Sequence, residues 1–249
     1  MILFSDVEGT LYLRDDPEQT KRNLLAVDRW RGDGNLFIVA TSFSLDSLRS
    51  LIPDDDLADC YIVNDGCAVM LPQDEEIMAG SFTFISTSDL GENLDIKEIT
   101  KLFTNEEFKI RYYTITEKSY EPLPHATKLN IWFKNEDAAN KYVSKIRKLD
   151  YRALSSIGED DKPELAGFKS KITIMPKMSG KRWAVKTLIK KLGPNAEDIY
   201  AIGDGENDIR MLELLGDHSY AIANSAAARE IHQTTYSLET LIASLLDKR

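Results

Sequence analysis

Two short apolar runs at opposite ends of the chain break off in the same way. Residues 1–10 read MILFSDVEGT and residues 199–208 read IYAIGDGEND. Each carries the signal of a buried strand that stops at an aspartate, with a glycine close behind. In an open parallel sheet, ligands bind outside the carboxyl ends of the strands. A chain that sends acids from two such distant strands to that edge must bring its two ends into one sheet.

The intervening pattern agrees. PEQTKRNLLAVDRWR, residues 17–31, reads as an amphipathic helix with Leu24, Leu25, Val27 and Trp30 as its apolar positions, ended by Gly32 and Gly34. LFIVAT (36–41) is a second buried strand, LDSLRSLI (45–52) a helix and CYIV (60–63) a third strand. This βαβαβ order predicts a parallel sheet with helices outside. The same style returns after residue 170: ITIMP as a strand, GKRWAVKTLIKKLG as a helix closing on Gly193, the 199–204 strand, a helix in NDIRMLELLG, a strand in YAIAN and a C-terminal helix.

The middle differs. KIRYYTIT (109–116) and TKLNIWFK (127–134) alternate apolar and polar, as half-exposed antiparallel strands do. SFTFIS (81–86) and YRALSSI (151–157) are further strand candidates, with helices expected over 94–103 and 136–149 and a polar loop at 158–165. The expected fold class is α/β: a Rossmann-like parallel core from residues 1–78 and 170–249, with an α+β domain inserted at 79–169.

The formal net charge is −10 and the sequence pI about 4.9. Such a chain repels phosphate backbones and anionic lipid, so neither nucleic acid nor membrane is the expected partner. Cys60 and Cys67 lie in a near-apolar stretch without CxxC spacing and read as buried thiols of a reducing compartment. No signal peptide and no membrane-length apolar run is visible, so a cytoplasmic protein is expected, a monomer or weak homodimer. The three histidines, His125, His218 and His232, fall in no motif and read as structural or exposed; Asp54, Asp55 and Asp56 read as a solvated loop.

The strand ends carry the chemistry. The first gives Asp6 and Glu8, the second Thr41 and Ser42, and the 199–204 strand gives Asp204, with Asp208 four residues on. Residues two apart on a strand point the same way, so Asp6 and Glu8 are expected on one side. Carboxylates gathered at one edge repel unless a cation sits among them, and hard oxygen donors favour Mg²⁺. Alone, Asp6 would read as a helix cap or turn acid, and Asp208 has an alternative reading as a capping or first-turn acid of the next helix.

Four stretches in order resemble one family. FSDVEGTL is similar to the first motif of haloacid dehalogenase (HAD)-type phosphatases. VATS resembles the second, KMSGKRWAV the third and IGDGENDIRML the fourth, in the form of the Cof-like branch; AIANSAA resembles that branch's following turn. The inserted block falls where the family carries its class II α/β cap.

The resemblance implies a Mg²⁺-dependent phosphatase for a small phosphorylated metabolite, by default a sugar or polyol phosphate. Asp6 would be the nucleophile that forms an aspartyl-phosphate. Asp6, the Glu8 backbone carbonyl, Asp204 and Asp208 would hold the metal. Thr41, Ser42 and Lys181 would hold the phosphoryl group, with Asn207 on a metal-bound water or on Lys181. Gly9 would allow the sharp turn, and Thr10 would bond within it.

Two departures stand out. Glu8 occupies the place of the family's acid–base aspartate and reaches about 1.5 Å further. It is compatible with an adjusted acid–base, with phosphoryl transfer to another acceptor, or with lost catalysis and retained binding. Thr41–Ser42–Phe43 replaces the branch's usual Thr–Gly–Arg, so the cations for a substrate anion must come from Lys177, Lys181, Arg182 or inserted-domain residues such as Lys128.

Overall fold

In the computed structural model, the structure describes residues 1–54, 56–72, 82–86, 94–103, 106–114, 116–158, 163–193 and 198–247. The elements run β1 (Ile2–Ser5), α1 (Pro17–Gly32), β2 (Leu36–Ala40), α2 (Leu45–Leu51), β3 (Cys60–Val63), β4 (Ala68–Pro72), β5 (Phe82–Ser86) and α3 (Ile96–Thr100). Then come β6 (Phe108–Tyr113), β7 (Lys118–Ser119), β8 (Lys128–Phe133), α4 (Ala138–Lys148), β9 (Tyr151–Ile157) and β10 (Ser170–Pro176). The chain finishes with α5 (Lys181–Leu192), β11 (Ile199–Gly203), α6 (Ile209–Leu215), β12 (Ser219–Ile222), β13 (Thr234–Thr235) and α7 (Leu238–Leu246).

Two compact units emerge. The first holds residues 1–42, 54–84 and 180–249; the second holds 43–53 and 85–179. The first is built on an eight-stranded sheet of order β13-β12-β11-β1-β2-β3-β4-β5. β13, β12, β11, β1, β2 and β3 pair in parallel, and β4 turns back antiparallel on β3. β1 and β3 are buried at every residue, as parallel strands covered on both faces must be. The order runs outward from β1 one way as β2 and β3, and the other way as β11 and β12. The strand order therefore reverses between β1 and β11, which is where such sheets bind ligands.

Asp16 caps α1 by accepting from the Gln19 N–H at 2.8 Å, with Pro17 at the first helical position. The face α1 buries is Thr20, Asn23, Val27 and Trp30. Leu25, expected on that face, is 59% exposed. Its place is taken by Asn23, whose side chain is fully buried and donates to the carbonyls of Thr10 and Leu11 at 3.0 and 3.1 Å.

The second unit is a five-stranded sheet of order β7-β6-β8-β10-β9, antiparallel in every pairing. Its core fills one face: Ile110, Tyr112, Leu129, Ile131, Phe133, Ile172 and Ile174 from the strands, Ile99 from α3 and Tyr142 and Ile146 from α4. Phe103 packs edge-on against Phe133 and Tyr142, with ring centroids 5.3 and 4.9 Å apart.

The sequence-based layout needs three corrections. The 170–176 segment is not a strand of the parallel sheet: β10 lies between β8 and β9, so the second unit runs to Ser179. Its own alternation explains this, because Ile172 and Ile174 are buried in the core while Lys171 and Thr173 between them are half-buried. The 82–86 strand belongs to the eight-stranded sheet and not to the inserted domain. Helix α2 groups with the second unit, where the Asp46 N–H donates to the Thr116 carbonyl at 3.1 Å. The expected boundary at 78/79, Asp55, and residues 159–162 of the 158–165 loop lie outside the described residues.

Candidate active site

The reversal point collects the predicted acids. β1 runs into Asp6, whose N–H donates to the Ile202 carbonyl of β11 at 3.0 Å, so the first acid is tied to the neighbouring strand. β11 runs into Asp204, and Asp208 stands at the start of α6. Carboxylate oxygens of Asp6, Asp204 and Asp208 all lie within 4.8 Å of one another.

Asp208 is fully buried and is no ordinary helix cap, since it accepts no bond from the first turn of α6. Its Oδ2 accepts from the N–H groups of Asp204 and Gly205 at 3.2 and 2.9 Å. Its Oδ1 takes the Lys181 ammonium at 2.6 Å, and Lys181 also donates to Asp6 Oδ1. Asp6 is 6% and Lys181 3% exposed. One buried cation thus bridges two of three buried or half-buried acids. Replacing one partner of such a set typically costs about 3–5 kcal/mol, because it strands a buried charge.

The electrostatics follow from that count. Burial pushes the Asp6 carboxyl up, to about 7; Lys181 opposes this, while Asp208 and Asp204 add to it. Burial also raises Asp204, reinforced by Asp208. Burial works to discharge Lys181, but Asp6 and Asp208 outweigh it and hold the ammonium charged. Three acids against one ammonium leave an excess of negative charge in a place shielded from water. A small hard cation with oxygen ligands matches that deficit.

Two glycines let the parts approach. Gly9 has φ +88°, and a Cβ there would lie 2.4 Å from Asp204 Oδ2. The turn after β1 therefore presses directly on the second acid, and Thr10 completes the contact by donating to Asp204 Oδ1 at 3.0 Å. Thr10 does bond within its own turn, its N–H donating to the Val7 carbonyl at 3.3 Å, while its hydroxyl bonds across to the other strand end. Gly66 has φ +77°, and a Cβ there would meet the Gly180 carbonyl carbon at 2.4 Å and the Lys181 nitrogen at 2.8 Å. It closes the turn Asn64–Asp65–Gly66, all three residues at positive φ, and the Asp65 N–H donates to the Thr41 carbonyl at 3.0 Å. This brace was missed from sequence. Its signal was the Asn-Asp-Gly string after a strand.

The remaining predicted residues divide. Thr41 is buried and Ser42 half-buried; both follow β2, at the same sheet edge as Asp6. Asn207 is exposed in the loop between Asp204 and Asp208. The Glu8 carboxylate is not with the acids: it takes the Arg14 guanidinium at 3.0 Å, the two side chains being 50% and 74% exposed. The expectation that it would point with Asp6 fails because β1 ends at Ser5. Beyond that residue the chain turns, and the period of two no longer holds. Arg182 faces Glu213 at 3.9 Å, and Lys177, in the second unit, pairs with Asp150 at 2.5 Å. Cys60 and Cys67 are buried free thiols, as expected.

With fold and site in place, the comparisons with known proteins are unambiguous. The chain matches the haloacid dehalogenase-like hydrolase family over residues 3–235, and it belongs to that family. It is 29% identical to a Streptococcus pyogenes serotype M6 protein designated a candidate phosphatase, over 85% of this chain and 83% of that one. Among solved structures it is similar to the HAD-superfamily phosphatase BT1666 of Bacteroides thetaiotaomicron (TM-score 0.71, 16% identity, covering 99% and 94% of the two chains). It is also similar to the HAD subclass IIB sugar phosphatase BT4131 (TM-score 0.66, 15% identity, covering 99% and 98%). The protein is a hydrolase of the phosphatase type, and among the described residues no helix is long and apolar enough to cross a membrane.

Proposed function

We propose that this protein hydrolyses a small phosphorylated metabolite through an aspartyl-phosphate on Asp6, with Mg²⁺ held by Asp6, Asp204 and Asp208. The observation that carries the reading is the buried set Asp6–Lys181–Asp208, with Asp204 beside it, at the point where the strand order reverses. A sugar or polyol phosphate is the default substrate, in line with the sugar phosphatase among the structural relatives.

Each group then has a task. The cation supplies charge neutralisation, so that a carboxylate can approach a phosphate dianion. An Asp6 oxygen attacks phosphorus and the bond to the leaving oxygen breaks. That oxygen takes a proton from Glu8. Glu8 then accepts a proton from water, which attacks the same phosphorus; the Asp6–phosphorus bond breaks and inorganic phosphate leaves. Lys181 fixes the orientation of Asp6, and its charge lies beside the transferring group. Thr41 and Ser42 offer hydroxyl donors at the same edge.

A second reading is favoured by one observation. Glu8 is exposed and paired with Arg14, away from the acids. A protein that binds phosphometabolites and turns them over poorly, or passes the phosphoryl group to another acceptor, fits that placement. The deciding experiment is phosphate release from a panel of phosphorylated sugars, polyols and acids, with Mg²⁺ or EDTA, using Glu8→Asp beside the wild type. The phosphatase reading expects metal-dependent release by the wild type. A silent wild type rescued by Glu8→Asp would establish the second reading.

A further inference from the structure

Asn23 is a buried polar residue that no step of the proposed reaction uses. Its side chain lies fully buried on α1, with both donor and both acceptor positions of the amide filled. Oδ1 accepts from the Gln19 side-chain amide at 3.0 Å and from the Glu239 N–H, in the first turn of α7, at 3.1 Å. Nδ2 donates to the carbonyls of Thr10 and Leu11 at 3.0 and 3.1 Å. The ordinary explanation, an amide that joins α1 to α7, accounts for Oδ1 alone. The nitrogen goes elsewhere, to the turn after β1.

That turn closes on itself. The N–H groups of Thr10 and Tyr12 donate to the Val7 carbonyl at 3.3 and 2.7 Å, and the Gly9 N–H donates to the Tyr12 carbonyl at 2.9 Å. Bonds inside a turn set its shape and leave open where it stands. Its place matters because it faces both oxygens of Asp204. The Thr10 hydroxyl donates to Oδ1 at 3.0 Å, and a Cβ on Gly9 would lie 2.4 Å from Oδ2. Apart from the exposed Glu8–Arg14 pair, the hydrogen bonds that tie residues 7–12 to other elements are, among the described residues, the Thr10–Asp204 bond and the two from Asn23. The turn is held by Asn23 on one side and meets Asp204 on the other. A fully satisfied buried amide of this kind fixes one placement of the groups it joins.

We propose that Asn23 is a positioning residue for the acid cluster: it fixes the turn that carries Thr10, and Thr10 holds the Asp204 carboxylate. This rests on the reading above that Asp204 is one of the Mg²⁺ ligands.

The test is titration calorimetry of the full chain with Mg²⁺ alone. Thr10→Val removes the hydroxyl and keeps the volume, and it should weaken Mg²⁺ binding about tenfold, as loss of a ligand's outer partner does. Asn23→Ala acts one bond further out and should weaken it about three- to tenfold in the otherwise unchanged chain, but less than about twofold in the Thr10→Val background. A merely structural amide behaves otherwise: its loss lowers the urea midpoint in both backgrounds and leaves the affinity alone. Val27→Ala, at a buried position on the same face of α1, is the control and should lower the urea midpoint with Mg²⁺ affinity unchanged. Asn23→Ser keeps one donor and reads the same cycle if Asn23→Ala does not fold. An affinity untouched by the Asn23 variant, a fall of equal size in both backgrounds, or an equal fall with Val27→Ala overturns the inference. If the wild type binds no Mg²⁺, the metal reading has failed and the urea midpoints decide the placement. A double variant that loses less than the sum of the two single losses upholds Asn23 as the support of Thr10, and additive losses overturn it.

Discussion

In the eight-stranded sheet the charge lies beyond the strand ends; in the five-stranded sheet it lies along the strands. Parallel strands buried on both faces have no room for ions along their length, so Asp6, Asp204 and Thr41 come only after the last strand residue. An antiparallel sheet packed on one side has a whole face to spend on polar groups, and here that face takes five cations, Lys109, Arg111, Lys128, Arg152 and Lys171. One arrangement concentrates negative charge at a point, suited to a metal and a reacting atom. The other spreads positive charge over an area.

The sharpest way to break this division is to remove the nucleophile. Asp6→Asn should lower phosphate release by at least about 10⁴-fold, as loss of a covalent catalyst does. The far-ultraviolet circular dichroism should stay that of the wild type. Residual release above a hundredth of wild type would mean that Asp6 is not the attacking group. Lys181→Met tests the same point from the opposite charge. It strands Asp6 and Asp208 without their shared ammonium, so urea unfolding should show a loss of about 3–5 kcal/mol. A loss below about 1 kcal/mol would show that the acids rest there without it.

The concentration of acid also sets how the metal should respond to pH. The Asp6 carboxyl is raised to about 7 in the metal-free protein. Below that pH the acid cluster holds a proton that an entering cation must displace. Mg²⁺ affinity should therefore fall as pH falls, by about tenfold per unit below 7, and level off above it. Titration calorimetry at several pH values, in buffers of different ionisation enthalpy, reads both the affinity and the proton released. An affinity flat from pH 5.5 to 8 would show that the metal does not meet that carboxyl.

How much of this could be read from the sequence also divides between the sheets. The four motif stretches were legible because each packs its chemistry into a few consecutive residues after a strand, and the fold only has to bring strand ends together. Sheet membership was less legible, since it depends on partners remote in sequence. ITIMP reads as one more core strand until the half-buried Lys171 and Thr173 are set against the buried Ile172 and Ile174. The rows of the cationic face could not be drawn without register, although Lys128 already stood out. Asn23 was invisible because a polar residue on a helix is ordinarily solvated, and only its two bonds to the turn after β1 give it a place. The direction of the Glu8 side chain was not legible, because the strand period does not carry past Ser5.

Glu8 also supplies the smallest and most discriminating effect. It sits two residues from Asp6, yet one acid is sealed in and the other lies on the surface against Arg14. An ion pair this exposed is worth about 0.2–1 kcal/mol, so it can withhold Glu8 from other work by at most about fivefold. Arg14→Ala should therefore raise kcat/KM by less than about fivefold, with a melting temperature within about four degrees of wild type. A gain well above tenfold would make Arg14 a lock on the acid–base group, and the low-turnover reading would then describe a restrained enzyme. A fall would mean that Arg14 itself handles substrate.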